Sequence, residues 1–264
     1  MLLLRPSFRL VLATLLACLP AAAATAAQAV PSEAARAVQI VDGDTLLLDD
    51  GRELRLVGIQ APKLPLGRTG FEAWPLAEEA KAALAELILG KRLGIAPGPA
   101  PLDRHGRLLA QLYDSESGLW IQGALLDRGL ARVYSFHDNR VLISEMLARE
   151  RAARAAGRGI WGKPWYAVRG PEELAADVGS FQLVEGRVVD AAVVRGRGYL
   201  NFGADYRSDF TIALDRDALD RFAAAGLAPS HYIGRRLRVR GWIESFNGPM
   251  IEATHPEQIE VLDE

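Results

Sequence analysis

The chain has 264 residues, of which 50% are hydrophobic and 24% are charged, and its 31 basic and 33 acidic side chains give a net charge of −2. This balance excludes a protein that holds nucleic acid by a high overall positive charge, so any phosphate binding has to come from a local basic cluster. The length suits one large domain or two small ones.

Residues 1–29 have the pattern of a secretory signal peptide. Two arginines precede an apolar core from Leu10 to Leu19, and the alanine-rich tract that follows offers cleavage sites up to Ala29. The core is shorter than the ~20 apolar residues of a membrane-spanning helix, which disfavours the alternative of an anchor. Cleavage removes both arginines, so 31 basic residues become 29 against 33 acidic ones and the net charge becomes −4. We expect an exported protein, periplasmic or secreted, with no transmembrane segment in the mature chain.

The only cysteine, Cys18, lies inside this segment. The mature chain is therefore expected to have no thiol and no disulfide. The sequence LLAC that ends at Cys18 is an alternative lipoprotein acceptor site, although the apolar run continues past the cysteine.

The first block of the mature chain, residues 38–162, contains strand-like and helical patterns. VQIVDGDTLLL (38–48) and RELRLVGI (52–59) are β-rich runs separated by Asp50-Gly51, a pair typical of hairpins. LAEEAKAALAELILG (76–90) has apolar residues at helical spacing and ends at a glycine. The strand-like RLGIAP and RLLAQLYD follow, joined by the polar DRHGR, and then two helical runs, IQGALLDRG and LISEMLARERAARAAG. This order predicts a mainly β, α+β fold: a small barrel with helices packed on it.

Residues 163–180 have a weaker pattern with two prolines and are predicted to be a linker. Residues 181–264 have the pattern of three strands, a helix from about Asp215 to Ala225, and two more strands. That is the order of a five-stranded OB-type barrel, a fold that binds oligonucleotides and oligosaccharides. We therefore expect a second, smaller OB-like barrel, which is a binding module only by analogy.

Aromatic and basic residues occur together in this second block. Arginine beside stacking aromatics is typical of surfaces that hold single nucleic acid strands. The alternative, which we favour, places Phe202, Phe210 and Trp242 in the core and the arginines on a solvated face. These arginines are Arg195, Arg197, Arg207, Arg235, Arg236, Arg238 and Arg240.

Three short motifs of the first block can carry chemistry. The sequence DGDT places Asp42 and Asp44 around a glycine, which suits an oxygen-ligated cation such as calcium or else is a simple polar turn. Arg55 lies within an apolar strand, so we expect it to pair with an anion or with Asp44, unless it faces solvent at an edge. DRHGR adds Arg107 on a glycine-containing loop, which alternatively is a solvated basic turn.

Five segments in this order, DGDT, RLVGIQAP, DRHGR, ALLDRGLARVY and GRGIW, resemble the staphylococcal nuclease (thermonuclease) family over residues 38–161. The resemblance implies a five-stranded OB-type barrel with three helices, and calcium-dependent hydrolysis of DNA and RNA. It also implies that Asp44 binds calcium, and that Arg55 and Arg107 grip the phosphate and stabilise the charge of its transition state.

The bend after Ile59 departs from the family pattern. Gln60 takes the place of a second calcium-ligating aspartate, and Lys63 takes the place of the glutamate usually assigned as general base. Losing a positioned base typically costs about 10² to 10⁴ in rate. An ammonium beside a divalent ion also repels it. We therefore expect a weak or altered calcium site at Asp44 and Gln60.

Our hypothesis is that Lys63 replaces the charge of the metal and pairs with Asp44, whereas the alternative is that Lys63 points to solvent. Arg55, Arg107 and Lys63 are then the predicted catalytic and phosphate-binding residues, with Lys63 at an altered position. His105, which stands where the family has a tyrosine, is either a replacement base or a surface residue.

Two functions follow from these patterns. The first is an exported thermonuclease-like protein that binds phosphodiesters of DNA or RNA, with weak or altered hydrolysis. The second is a non-catalytic envelope protein that binds nucleic acid, another polyanion or a protein partner through OB-type barrels.

Overall fold

The computed structural model describes residues 29–262. The predicted signal peptide, residues 1–29, and Cys18 within it lie outside the described residues, except for Ala29. Within the described part of the chain, no helix combines the length and the apolar character needed to cross a membrane.

The N-terminal half is a five-stranded barrel with three helices. Its elements are β1 (Glu33–Asp42), β2 (Thr45–Leu48), β3 (Glu53–Leu56), β4 (Ile59–Gln60), α1 (Ala77–Ile88), β5 (Arg92–Leu102), β6 (Leu108–Asp114), α2 (Ile121–Asp127), β7 (Arg132–Val133) and α3 (Ile143–Ala155). The barrel closes in the order β1-β2-β3-β6-β5, and of its pairs β3 and β6 run parallel. The predicted mainly β fold, an OB-type barrel with three helices, is confirmed.

Aliphatic side chains from alternate strand positions fill the barrel. Leu46 of β2, Leu54 and Leu56 of β3, and Ile88 of α1 are all 0% exposed and belong to one core. Because successive strand residues face opposite sides of a sheet, Arg55 lies on the outer face of β3. The apolar pattern of β3 therefore places an arginine where it can meet the turn between β1 and β2.

That turn contains Gly43, which divides the first predicted strand. A Cβ atom at this position would lie 2.7 Å from the Cβ atoms of both Ala61 and Ala80, so the close packing requires glycine. The β-rich run 38–48 is divided here into two strands, because the close packing of Gly43 on Ala61 and Ala80 makes DGDT the polar turn that the sequence offered as an alternative. The interruption turns the flanking aspartates toward the bend after β4.

The other local predictions in this half are confirmed. Gly51 adopts φ 85° in the hairpin that joins β2 and β3 as an antiparallel pair. Helix α1 lies inside the predicted range 76–90, and Gly90 follows it with φ 76°. Both glycines occupy the left-handed region that favours this residue at turns and helix ends.

The C-terminal half consists of a second sheet and one helix. Its elements are β8 (Phe181–Arg187), β9 (Asp190–Val194), β10 (Arg197–Asn201), β11 (Thr211–Leu214), α4 (Arg216–Ala224), β12 (Arg236–Ser245), β13 (Pro249–Glu252) and β14 (Ile259–Val261). Pairing runs from β9 through β10, β11, β13 and β12 to β8, with β11 and β13 parallel. When β8 and β9 are taken as halves of one bent strand, this is the strand order of the first barrel. Within residues 29–262 these strands form one seven-stranded sheet in which β14 also pairs with β12, and a second OB-like barrel stays a prediction.

Residues 163–180, predicted as a linker, pack on both halves. Tyr166 is 4% exposed and its hydroxyl donates to the carbonyl oxygen of Pro75 at 2.9 Å. Leu174 is 1% exposed and belongs to the second core. The two halves are thus joined by a segment with fixed contacts.

A buried ion network holds the second sheet against α3. Arg240 of β12 is 1% exposed, and its guanidinium donates to Glu150 of α3 at 2.9 Å and to Glu260 of β14 at 2.6 Å. Burial alone would lower the pKa of Arg240, but the charges of the two glutamates outweigh burial and raise it. Arg151 and Arg154 of α3 complete the network by pairing with Glu260 and Glu150.

The outer face of β12 corrects part of the sequence interpretation. Phe202 and Phe210 are buried, as expected, but Trp242 is 44% exposed and Arg240 is buried. Residues 238, 240 and 242 share one face of the strand because side chains alternate. This face meets the N-terminal half, so Arg240 enters the interface instead of a solvated surface and Trp242 lies at its rim.

Replacing Arg240 with methionine tests the importance of this network. Arg240→Met leaves Glu150 and Glu260 buried without their shared cation, so we expect the free energy of unfolding to fall by about 3 to 5 kcal/mol. The matched control is Arg197→Met, because Arg197 is exposed and its nearest carboxylate, on Glu252, is 3.8 Å away. This control is expected to cost less than about 1 kcal/mol. Equal losses for both variants in urea denaturation at pH 7 would contradict the assignment.

Candidate functional site

Asp44 lies at the centre of the candidate site. It follows the tight turn at Gly43 and is 0% exposed. Its Oδ2 accepts the backbone N–H of Ala61 at 2.7 Å, and its Oδ1 accepts the hydroxyl of Thr45 at 3.0 Å. A buried carboxylate is costly unless donors and cations surround it, so this position depends on its neighbours.

Lys63 is one of those neighbours. Its Nζ lies 2.7 Å from each carboxylate oxygen of Asp44 and 3.1 Å from Oδ2 of Asp42. The lysine side chain is only 18% exposed, so the alternative that it points to solvent does not describe this structure. An ammonium group therefore occupies the space between the two aspartates of the DGDT turn.

Arg55 is the second cation at Asp44. Its Nη1 forms an ion pair with Oδ1 of Asp44 without the alignment of a hydrogen bond, and its Nη2 donates to the carbonyl oxygen of Ile59 at 3.0 Å. Its side chain is 11% exposed. The prediction that Arg55 pairs with Asp44 therefore describes this structure, and the alternative of a solvent-facing arginine does not.

The pKa values of Asp42 and Asp44 are shifted in opposite directions. Burial would raise the pKa of Asp44, but the charges of Arg55 and Lys63 outweigh it and hold that pKa well below its usual range. Burial raises the pKa of Asp42, and the negative charge of Asp44 raises it further, against the opposing effect of Lys63. Asp44 is therefore the firmly ionised member of the pair.

Gln60 is hydrogen-bonded to a buried arginine. Its Oε1 accepts from Nη2 and Nε of Arg132 at 2.8 and 3.0 Å. Arg132 is 3% exposed, and burial lowers its pKa to about 10. The side-chain oxygen predicted as a metal ligand is thus engaged by a buried guanidinium 72 residues further along the chain.

These contacts test whether the residues suit calcium. The ion takes six to eight oxygen ligands in proteins. Here the oxygens of Asp44 accept from Lys63 and Ala61, and that of Gln60 accepts from Arg132. Across residues 29–262, no group of three or more His, Cys, Asp or Glu side chains is placed to hold a metal ion. The arrangement does not fit calcium.

Arg107 lies on the neighbouring loop, between β5 and β6. Its Nε and Nη2 approach Oδ2 of Asp103 at 2.8 and 2.7 Å, and its side chain is 28% exposed. His105 on the same loop accepts from Nε of Arg104 at 3.1 Å through its Nε2. The acceptor nitrogen that a general base would use is therefore already occupied.

A cavity of about 800 Å³ opens over these residues. Aromatic side chains of Tyr134, Phe136 and Trp242 line it together with the bend and the DRHGR loop. The charged side chains of its wall are the cationic Arg55, Lys63, Arg68, Arg104 and Arg107 and the acidic Asp42, Asp103 and Asp138. The structure thus brings together the residues predicted as a site and adds an aromatic residue from the second sheet.

Two arginines of this wall were missed as site residues. Arg68 donates to the carbonyl oxygens of Leu64 and Pro65 and lies over the ring of Phe71, while Arg104 contacts His105. Neither has a carboxylate partner among the described residues, and both are exposed. The glycine-flanked loop LGRTG and the DRHGR turn were the available signals. Both motifs gave too little information to separate a ligand-facing arginine from an ordinary surface one.

The comparison with known families supports the barrel fold of the N-terminal half. The family model described as "Staphylococcal nuclease homologue" matches residues 53–163. This part of the chain is similar to the staphylococcal nuclease family. The matched segment of this nuclease-like domain includes Arg55, Lys63 and Arg107, whereas the DGDT turn precedes it and the second sheet follows it.

The relatives are similar to part of this chain. A probable staphylococcal-like nuclease of Oryza sativa subsp. japonica is 35% identical over 117 residues, which cover 42% of this chain and 28% of the relative. A second one from that organism is 32% identical over 117 residues, covering 42% and 31%. An uncharacterized endonuclease of Escherichia coli O157:H7 is 27% identical over 138 residues, covering 49% and 81%. The aligned part spans less than a third of either rice protein.

Asp44→Asn tests the electrostatic account of the site. The variant leaves Arg55 and Lys63 near a neutral buried group, so at pH 7 we expect it to unfold more easily by about 3 to 5 kcal/mol. Because the folded pKa of Asp44 is depressed, its contribution is present above the unfolded value of about 3.9 and is lost as the pH falls through the folded pKa. The difference from the parent protein should therefore narrow below about pH 4.

The measurement is urea denaturation of both proteins at a series of pH values. Asp50→Asn is the control, because Asp50 forms an exposed pair with Arg52. Its effect should stay below about 1 kcal/mol. A difference between the parent and Asp44→Asn that is small at pH 7, or that does not change in acid, would exclude the ionised, doubly paired Asp44.

Proposed function

We propose that this protein binds the phosphodiester backbone of a nucleic acid in the cavity of about 800 Å³ described above, which forms a cleft beside Asp44. We also propose that its calcium-dependent hydrolysis is weak or absent. The observation that carries the proposal is the position of Lys63, whose ammonium lies 2.7 Å from both oxygens of Asp44. The fold of the N-terminal half is that of a nuclease-like domain. The centre of the site contains a lysine where the family resemblance implies a carboxylate.

The ammonium opposes calcium for an electrostatic reason. A divalent ion about 5 Å from it would be repelled by several kcal/mol, even at an effective dielectric constant near 20. Binding of the ion would also require Gln60 to leave Arg132, which has a buried guanidinium. An unpaired buried guanidinium costs several kcal/mol more.

Lys63 also fails to replace the missing general base. A protonated amine has three donors and no lone pair with which to accept a proton from water. His105, the other candidate, already accepts a hydrogen bond from Arg104. Neither Lys63 nor His105 is therefore suited to activate water, whereas the cations of the site can attract a phosphate.

The support for phosphate binding comes from the outer arginines. Arg68 and Arg104 are exposed on the cavity wall without carboxylate partners in the described residues, and Arg107 is partly exposed. Arginine presents several donors in a planar fork that matches phosphate oxygens. We assign phosphate contacts to Arg68, Arg104 and Arg107, and we assign Arg55 and Lys63 mainly to holding Asp44.

We further propose that the protein acts outside the cytoplasm, because residues 1–29 have the pattern of a secretory signal. The second candidate, a non-catalytic envelope protein, differs in its ligand. If its partner is another protein, the mature chain should not bind oligonucleotides, which the next experiment measures.

The binding experiment uses a fluorescent single-stranded oligonucleotide and the mature protein. We expect chelator to leave the affinity unchanged, because Lys63 makes a metal unnecessary. Arg68→Met with Arg104→Met should weaken binding about tenfold or more at low salt. The double variant should also reduce the slope of log K against log salt by about 0.7 for each phosphate that the protein no longer neutralises.

The control combines Arg128→Met and Arg197→Met, two exposed arginines that do not line the cavity. Loss of binding in chelator, or equal effects of the two double variants, would contradict the proposal.

A second experiment tests why hydrolysis is weak. We expect Gln60→Asp with Lys63→Glu to raise calcium-dependent cleavage of DNA by about 100-fold or more, the range attributed to a positioned base. Lys63→Met alone removes the ammonium without supplying a base, so it should bind calcium better without cleaving faster.

A third variant, Lys63→Glu alone, is also measured. Arg132 donates to Gln60 and would pair with an aspartate at that position, so the double variant by itself does not isolate the effect of the glutamate. If neither variant with a glutamate at position 63 cleaves faster than Lys63→Met in calcium, these positions do not limit hydrolysis.

A further inference from the structure

The cleft has an aromatic wall to which both halves of the chain contribute. Tyr134 and Phe136 follow β7 in the nuclease-like domain, and Trp242 belongs to β12 of the second sheet. All three line the cavity that also contains Arg55, Lys63 and the outer arginines. Trp242 lies outside residues 53–163, so the family match does not account for its presence at the site.

The indole ring of Trp242 is held in place. Its Nε1 donates to the hydroxyl of Tyr134 at 3.0 Å, and its ring meets Phe181 edge-on, with centroids 6.4 Å apart and planes at 78°. Tyr134 in turn packs edge-on against Phe136 and Phe181 at 5.0 and 4.9 Å. The ring is therefore oriented before any ligand binds, which lowers the entropic cost of using it.

Trp242 is also accessible, since it is 44% exposed, and Phe136 beside it is 47% exposed. A rigid aromatic surface beside exposed arginines that have no carboxylate partner among the described residues matches the two parts of an unpaired nucleotide, the flat base and the charged phosphate. In a double helix the faces of the bases are covered by their neighbours, so they cannot reach such a wall. A polyanion without rings would gain nothing from it.

We propose that Trp242 stacks on a base of a single-stranded nucleic acid whose phosphates lie against Arg68 and Arg104, so that the second domain contributes directly to ligand binding. The proposal rests on the proposed function, because it needs a phosphodiester in the cleft. It adds the ligand form, an unpaired strand, and a residue that selects it.

The test compares two ligands, a fluorescent oligothymidine and an oligomer of the same length with abasic sites throughout. We expect Trp242→Ala to weaken oligothymidine binding by about 5- to 100-fold, the range for loss of one base stack. Binding of the abasic oligomer should not change, because its phosphate contacts remain. The matched control is Trp165→Ala, which removes another exposed tryptophan, at 39%, that does not line the cavity.

Fluorescence of the indoles gives a second readout that does not require an alanine variant to fold. Oligothymidine should quench part of the parent's tryptophan emission. Trp242→Phe should lose most of this quenching, and Trp165→Phe should keep it. Both phenylalanine variants should match the parent in thermal unfolding to within a few degrees.

The outcomes separate this inference from the proposed function. If the parent binds neither oligomer, the proposed function fails. If the parent binds both, but Trp242→Ala binds oligothymidine as well as the parent does or the quenching persists in Trp242→Phe, the stacking role of Trp242 is wrong while phosphate binding stands. Equal weakening of both ligands by Trp242→Ala would also overturn it, since that pattern indicates a general loss of the cleft.

Discussion

The buried carboxylate of Asp44 is the interaction on which the site depends. An ionised group with no exposure is stable only if cations and donors replace its lost water. Arg55 of β3, together with Lys63 and the N–H of Ala61 on the bend after β4, replaces that water. The positions of the strand, the bend and the tight turn at Gly43 are therefore set together by one negative charge.

Charge, more than shape, separates this arrangement from a calcium site. The charges of Asp42, Asp44, Arg55 and Lys63 sum to zero when all four are ionised, so the inner site is neutral without a metal. A neutral and crowded set of oxygens gives little affinity for a hard cation, which depends on the charge and number of its ligands. The same neutrality leaves the positive potential of the cleft to the arginines of its outer wall, where a phosphate meets it first.

Strand alternation, helical spacing and turn glycines are local signals, and they predicted the first barrel and its helices. The pairing of Lys63 with Asp44 was a hypothesis that depended on the family resemblance. The local signals did not predict the partner of Gln60, because Arg132 is 72 residues away and joins it only through the pairing of β4 with β7. Arg240 and Trp242 were misplaced for a similar reason. The outer face of β12 has the pattern of a solvated strand face, and only the packing of the two halves shows that it meets α3 and the cleft.

The second sheet also contacts the backbone of β7 near the site. Val133 donates its N–H to Glu150 at 2.6 Å, and its carbonyl oxygen lies 3.4 Å from a guanidinium nitrogen of Arg240. The same residue pairs with Ile59 of β4, directly before the bend that delivers Lys63 to Asp44. Through these contacts Arg240 of β12 is linked to β7, and β7 is linked to β4 and the bend that carries Lys63. The buried ions therefore connect the second sheet to the strand that directly precedes the site.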